Sequence, residues 1–178
     1  MTSYNSYIDK VQGKNINAQT LLATDYLNHF NEVHMLIDML PTMPDCLEDI
    51  KEWVPKSYQE HFADSVFTEK DLAIEAFEHA PAEYRLPFEA TVNEMDSLVL
   101  KTIQQAETCL ERQDTDQLQS VISQYTPKMR DLIEKCGCII NGEKHMTQQD
   151  SIDHYFDDNE SSLDGEDLDQ STIDDLFG

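Results

Sequence analysis

The stretches "FEATVNEMDSLVLKTIQQAETC" (residues 88–109) and "LQSVISQYTPKMRDLIEKCGCI" (residues 118–139) decide the fold. In the first, Phe88, Val92, Met95, Val99, Thr102, Ala106 and Cys109 recur at alternating spacings of four and three. The second repeats the pattern with Leu118, Ile122, Tyr125, Met129, Leu132, Cys136 and Ile139. That rhythm puts each set on one face of a helix, and two such helices bury their seams against each other. The polar "RQDTDQ" between them is short enough for an antiparallel turn, with Asp114 placed to cap the second helix. Counted from Phe88 to Cys109, the hairpin is expected to be roughly 30–35 Å long. Pro127 is expected to kink or divide the second helix.

Working back along the chain, a first helix is expected from about Ala18 to Leu40, ending at "PTMP". Its seam is Leu22, Tyr26, His29, Val33, Leu36 and Leu40, widened by Phe30 and Ile37. Shorter helices are expected over 45–53, 56–62 and 69–79, the last with Thr68 and Asp71 as a capping box. Only one glycine, Gly13, precedes residue 137, which suits a helical body with few tight turns. Gly142 is placed to cap the end of the body. The predicted class is all-α: a helical bundle domain over residues 1–142, its core beginning near residue 15, followed by an acidic tail over 143–178.

The chain carries a net charge of −24, and residues 143–178 hold 12 acids against one lysine. High charge with few apolar residues does not offset the entropy of ordering, so the tail is expected to be disordered in isolation. The summed field opposes phosphate backbones and anionic lipids, so neither a nucleic acid nor a membrane surface is expected as partner. No leader or membrane-crossing run is evident, and Cys46, Cys109, Cys136 and Cys138 are too scattered for a disulfide framework. A cytoplasmic protein with reduced thiols is the expectation.

Within the tail one phrase occurs twice. Residues 149–156 read "QDSIDHYF" and residues 170–177 read "QSTIDDLF", sharing Gln, Ile, Asp and Phe in register. Ile152, Tyr155 and Phe156, then Ile173, Leu176 and Phe177, fall at i, i+3 and i+4, so a helical turn presents each trio on one face. Asp153 and Asp174 favour the positive helix end. So short a helix does not hold alone, and the segment is suited to fold on a partner with an apolar groove and a basic rim. One copy binds weakly. Two copies, joined by a thirteen-residue spacer with a reach of about 20 Å, gain roughly 10²–10⁴ by avidity on a common target.

The second copy, with Ile173, Asp174, Leu176 and Phe177, resembles the response-regulator-docking peptide of the flagellar motor switch protein. That peptide runs from a Ser/Gln-rich start through Ile-Asp and one variable residue to a Leu-Leu or Leu-Phe pair. Ile152, Asp153, Tyr155 and Phe156 follow it with Tyr replacing Leu. The layout is also similar to that of the chemotaxis phosphatase, a helical hairpin, an acidic linker and a C-terminal amphipathic peptide. The resemblance implies a partner of the phosphorylated response-regulator class. It does not extend to the phosphatase's acid and glutamine four apart: among the glutamines only Gln170 has an acid, Glu166, four residues earlier. A related phosphatase family uses an acid and asparagine three apart, a spacing that Asp25 and Asn28 echo in part without the rest of that family's pattern, so no catalytic residue is assigned.

These residues support a non-enzymatic regulatory or adaptor protein that docks a signalling partner through its tail and needs no cofactor. The heptad seams also suit a homodimer. A different class remains open: a small helical metal-binding protein or enzyme built on His29, Glu32, His34, His61 and His79, with the tail only a solubiliser, or a response-regulator phosphatase of other geometry. Carboxylate-bridged metal proteins need a Glu followed three residues later by His on each of two helices, which is missing here. His29 lies on the buried seam and is expected to be a core histidine, as Cys136 is a core thiol.

Overall fold

A computed structural model describes residues 3–143. Among them lie seven α-helices and no strand: α1 (Ser3–Val11), α2 (Asn28–Met39), α3 (Cys46–Lys51), α4 (Tyr58–Asp64), α5 (Lys70–Phe77), α6 (Ala82–Glu111) and α7 (Thr115–Ile140). A 3₁₀ turn, Thr24–Leu27, leads into α2. The acidic segment beyond residue 143, with both copies of the repeat, lies outside the described residues.

The α6–α7 hairpin forms as its seams dictate. Every seam residue of α6 from Phe88 to Cys109 is buried, and so are Leu118, Ile122, Tyr125, Met129 and Cys136 of α7. The heptad face that suggested self-association is therefore covered within the chain. At 30 residues α6 runs about 45 Å, longer than expected, because it starts six residues before Phe88 and carries Pro87 inside its first turns. Pro127 does not divide α7, which is continuous to Ile140. The proline sits on the exposed face, where the carbonyl freed four residues back is within reach of water. Asp114 caps α7 as expected, accepting from the Gln117 amide at 2.9 Å.

The helix expected from Ala18 begins ten residues later. The Asn17 side chain accepts from the amides of Gln19 and Thr20 at 2.9 and 3.0 Å, drawing the backbone into a tight loop instead. Asn17 and Leu22 then pair through the backbone at 2.9 Å, with Leu21 at φ +59°. This loop is buried: Thr20, Leu21, Leu22 and Ala23 are almost wholly covered. Its polar groups find distant partners, as burial requires. The Thr20 hydroxyl donates to the Ile140 carbonyl at 2.5 Å, and the Ala23 amide donates to the Tyr58 hydroxyl at 2.9 Å.

The body also begins earlier than residue 15. Tyr4, Tyr7 and Val11 share one face of α1; Val11 is buried, Tyr4 donates to the Gln19 carbonyl at 2.8 Å, and Tyr7 stacks on His79. The capping box expected at Thr68 and Asp71 is not formed, since α5 starts after Glu69 with no side-chain cap. The box is at α4, where Ser57 and Glu60 satisfy each other's amides.

Both long helices end on left-handed residues. Gly142, φ +71°, lets the Glu143 amide reach the Cys138 carbonyl at 2.8 Å, and Gln113, φ +55°, does the same for Asp114 and Cys109 at 2.9 Å. A side chain at the second position strains the backbone. Gln113→Gly is expected to raise unfolding stability by up to about 1 kcal/mol in denaturant titration, the relieved strain exceeding glycine's entropic cost. A loss of stability contradicts this.

Candidate functional site

Several of the chemistry-bearing residues gather in a cleft between the 3₁₀ turn, the start of α2 and α4. It is a cavity of about 590 Å³ whose polar lining includes Asp25, Asn28, Glu32, Lys56, His61 and Asp64. The 3₁₀ turn places Asp25 and Asn28 in this cleft together. Lys56 Nζ lies 2.9 Å from Asp64 and holds that carboxyl below the usual carboxylate range.

Rings fill the space behind the cleft. Tyr26 meets His61 edge-on with centroids 5.4 Å apart, His61 is 6.0 Å from His29, and Trp53 stacks on His29 at 4.8 Å. Trp53 Nε1 also donates to the His29 carbonyl at 3.0 Å, locking the stack. His29 is buried and its Nε2 has no partner among the described residues. Burial lowers its pKa to about 4, with His61 and Lys56 adding repulsion. His61 is lowered as well, by burial first, with the Asp25 backbone working in the opposite direction. Both rings are therefore neutral at pH 7.

The five residues weighed as metal ligands are sorted into three places. His61 and Glu32 line the cleft, and His29 lies behind it beside His61. His34 turns to Asp38, 3.7 Å away, and to the Tyr125 ring at 5.5 Å, while the Thr126 hydroxyl bonds the same Asp38 carboxylate. His79 follows α5 and stacks on Tyr7 of α1 at 4.5 Å. Among the described residues no three His, Cys, Asp or Glu side chains are grouped to hold a metal. Cys136 is buried, its thiol pushed up to about 12 by burial, and packs as a core residue.

One residue that sequence reasoning missed is Asp96. It stands beside Met95 on α6, half-buried, with Oδ1 covered and without a hydrogen-bond partner among the described residues, and burial raises its carboxyl to about 6. The pattern held one clue, an acid adjoining a seam position. The docking residues Ile152, Asp153, Tyr155, Phe156, Ile173, Asp174, Leu176 and Phe177 lie outside the described residues. Among the described residues no helix is long and apolar enough to cross a membrane. Compared with protein-family models, curated proteins and solved structures, the chain matches none.

The two kinds of titration oppose each other. A histidine whose folded pKa is depressed contributes stability above about pH 6.5, lost as the pH falls toward its folded value, near 4 for His29. Asp96, raised from 3.8 to about 6, contributes below its unfolded value and loses that contribution as the pH rises through 6. Thermal melts between pH 7.5 and 4.5 are therefore expected to show a smaller acid-induced fall in Tm for His29→Phe than for the unaltered chain. For Asp96→Asn they are expected to show a larger one. Parallel curves for all three proteins contradict the assignment.

Proposed function

We propose that this chain is a non-enzymatic adaptor that docks a signalling protein, of the chemotaxis response-regulator class, through the tandem motifs at residues 149–156 and 170–177. The observation that carries the reading is the repeat itself, in which Ile, Asp and Phe return in identical register inside an acidic segment poor in apolar residues. The described core runs from Val11 to Ile140, and α7 is capped at Gly142 before the first copy begins. The body thus presents a folded unit ahead of the repeat. Ile173, Leu176 and Phe177 fill the partner's groove, Asp174 meets its basic rim, and Ile152, Asp153, Tyr155 and Phe156 supply a second, weaker grip. The apolar trio provides the affinity and the pair of copies provides avidity.

A second reading is favoured by one observation in the body. Asp25 and Asn28, at the spacing of an acid–amide phosphatase pair, line one cleft with Lys56 and His61. In that reading the tail delivers the phosphorylated regulator and the cleft positions a water for its hydrolysis.

Titration of the full chain into phosphorylated and unphosphorylated response regulators from the same cell tests the docking. Ile173→Ala with Phe177→Ala is expected to weaken binding by roughly 10²-fold or more, and Ile152→Ala with Phe156→Ala by less. Equal binding by all three proteins removes the docking role. Faster loss of the regulator's phosphate with the unaltered chain than with Asn28→Ala supports the second reading; identical rates remove it.

A further inference from the structure

α2 buries Phe30, Val33 and Ile37, and its opposite side carries methionine. Met35 is 59% exposed, and Met39, one turn on, is half-buried. The helix gives way at Leu40 and Pro41, yet the spacing continues. The Thr42 hydroxyl and the Met43 amide both donate to the Met39 carbonyl, at 3.0 and 2.8 Å, which holds Met43 one further turn along and 50% exposed. Three thioether side chains thus follow one another at i, i+4 and i+8, over a rise of about 12 Å. Single exposed apolar residues are ordinary, whereas apolar residues in succession on one face mark an interaction surface. Methionine suits such a surface because its unbranched, polarizable side chain adapts to apolar partners of different shape.

The charges around the methionines select the partner. Glu32 and Asp38 stand three residues to either side of Met35, and Asp45 and Glu48 follow Met43; all four are exposed. Asp38 also takes the Thr126 hydroxyl, and Glu32 lines the cleft at Asp25. Between Lys14 and Lys51 the sequence has six acids and no lysine or arginine. His29 and His34, the histidines of that stretch, are pushed down by burial first and are neutral at pH 7. The methionines are therefore rimmed by negative charge alone. Nucleic acids, anionic lipids and a second copy of this chain, at −24, all bring the same sign and are disfavoured.

We propose that the Met35–Met39–Met43 face docks a basic amphipathic helix of a partner protein. About two turns of that helix lay their apolar side chains along the methionines, and lysine or arginine on its flanks meets Glu32, Asp38 and Asp45. Met35 and Met43 are open to solvent, so both contacts form without rearrangement of the core. The face shares no residue with the repeat at 149–156 and 170–177, so it stands or falls independently of the docking role given to those segments.

A labelled peptide of leucine and lysine, with leucine at i, i+3, i+4 and i+7, is the probe, beside a peptide of the same composition in scrambled order. Fluorescence anisotropy with the full chain is expected to show saturable one-to-one binding of the amphipathic peptide, with the scrambled one at least about tenfold weaker. Met35→Gln with Met43→Gln leaves every charge in place, so it separates this face from general attraction to an acidic chain. The double variant is expected to weaken the amphipathic peptide at least about tenfold. In the unaltered chain, labelled at its methionine methyl groups, the Met35 and Met43 signals are expected to shift on titration. Equal affinity for the two peptides, unchanged affinity in the folded double variant, or Met35 and Met43 methyl signals that stay in place at saturation overturns the proposal. The methyl signals decide it even where the variant does not fold.

Discussion

Interdigitation of the α6 and α7 seams is the interaction on which the rest of the body depends. Phe88, Met95, Val99, Tyr125 and Met129 are essentially inaccessible to water, and each large side chain buried this way contributes about 1.5–3 kcal/mol. The hairpin then provides the surface on which the earlier chain packs. The Asn17 loop is fastened to its far end through Thr20 and Ile140, and Tyr26 and Phe88 join the 3₁₀ turn to α6. Tyr58 connects three elements at once, bonding Ala23 while packing on Phe77 and Phe88. The cleft at Asp25 lies where the 3₁₀ turn, α2 and α4 meet, beside that junction.

What could be read in advance follows from how local the determining physics is. The two long helices were legible because fourteen seam positions keep one rhythm over many turns, and their caps at Asp114 and Gly142 are short-range effects. The loop at residues 17–23 was not legible. Its apolar residues fit a helical period, while the side chain of Asn17 and partners more than a hundred residues away determine otherwise. α1 escaped notice because Val11 alone of its residues is fully buried. Pro127 interrupts α7 less than its place in the helix implies, since its cost depends on whether the orphaned carbonyl faces water.

Among site residues, the core role of His29 followed from its seam position, and its stacking on Trp53 and lowered pKa agree with that role. The wider histidine set had no common address in the sequence, and the fold distributes it among the cleft, the α2–α7 contact and α1. Asp96 illustrates the reverse case. It sits one position off a seam, where a charged residue usually reaches solvent, and only the approach of α4 and the Pro55–Ser57 loop encloses it.

The chain thus pairs a self-sufficient helical body with an acidic segment that spells one amphipathic phrase twice, and the division of labour we propose rests on that pairing. Amide-resolved NMR of the full chain during titration with a phosphorylated response regulator probes it most directly. Docking through the repeat predicts that broadening and shifts concentrate at residues 149–156 and 170–177, while the amides of α6 and α7 keep their positions. Shifts concentrated in the helical body, with both copies of the repeat unperturbed at saturation, contradict it.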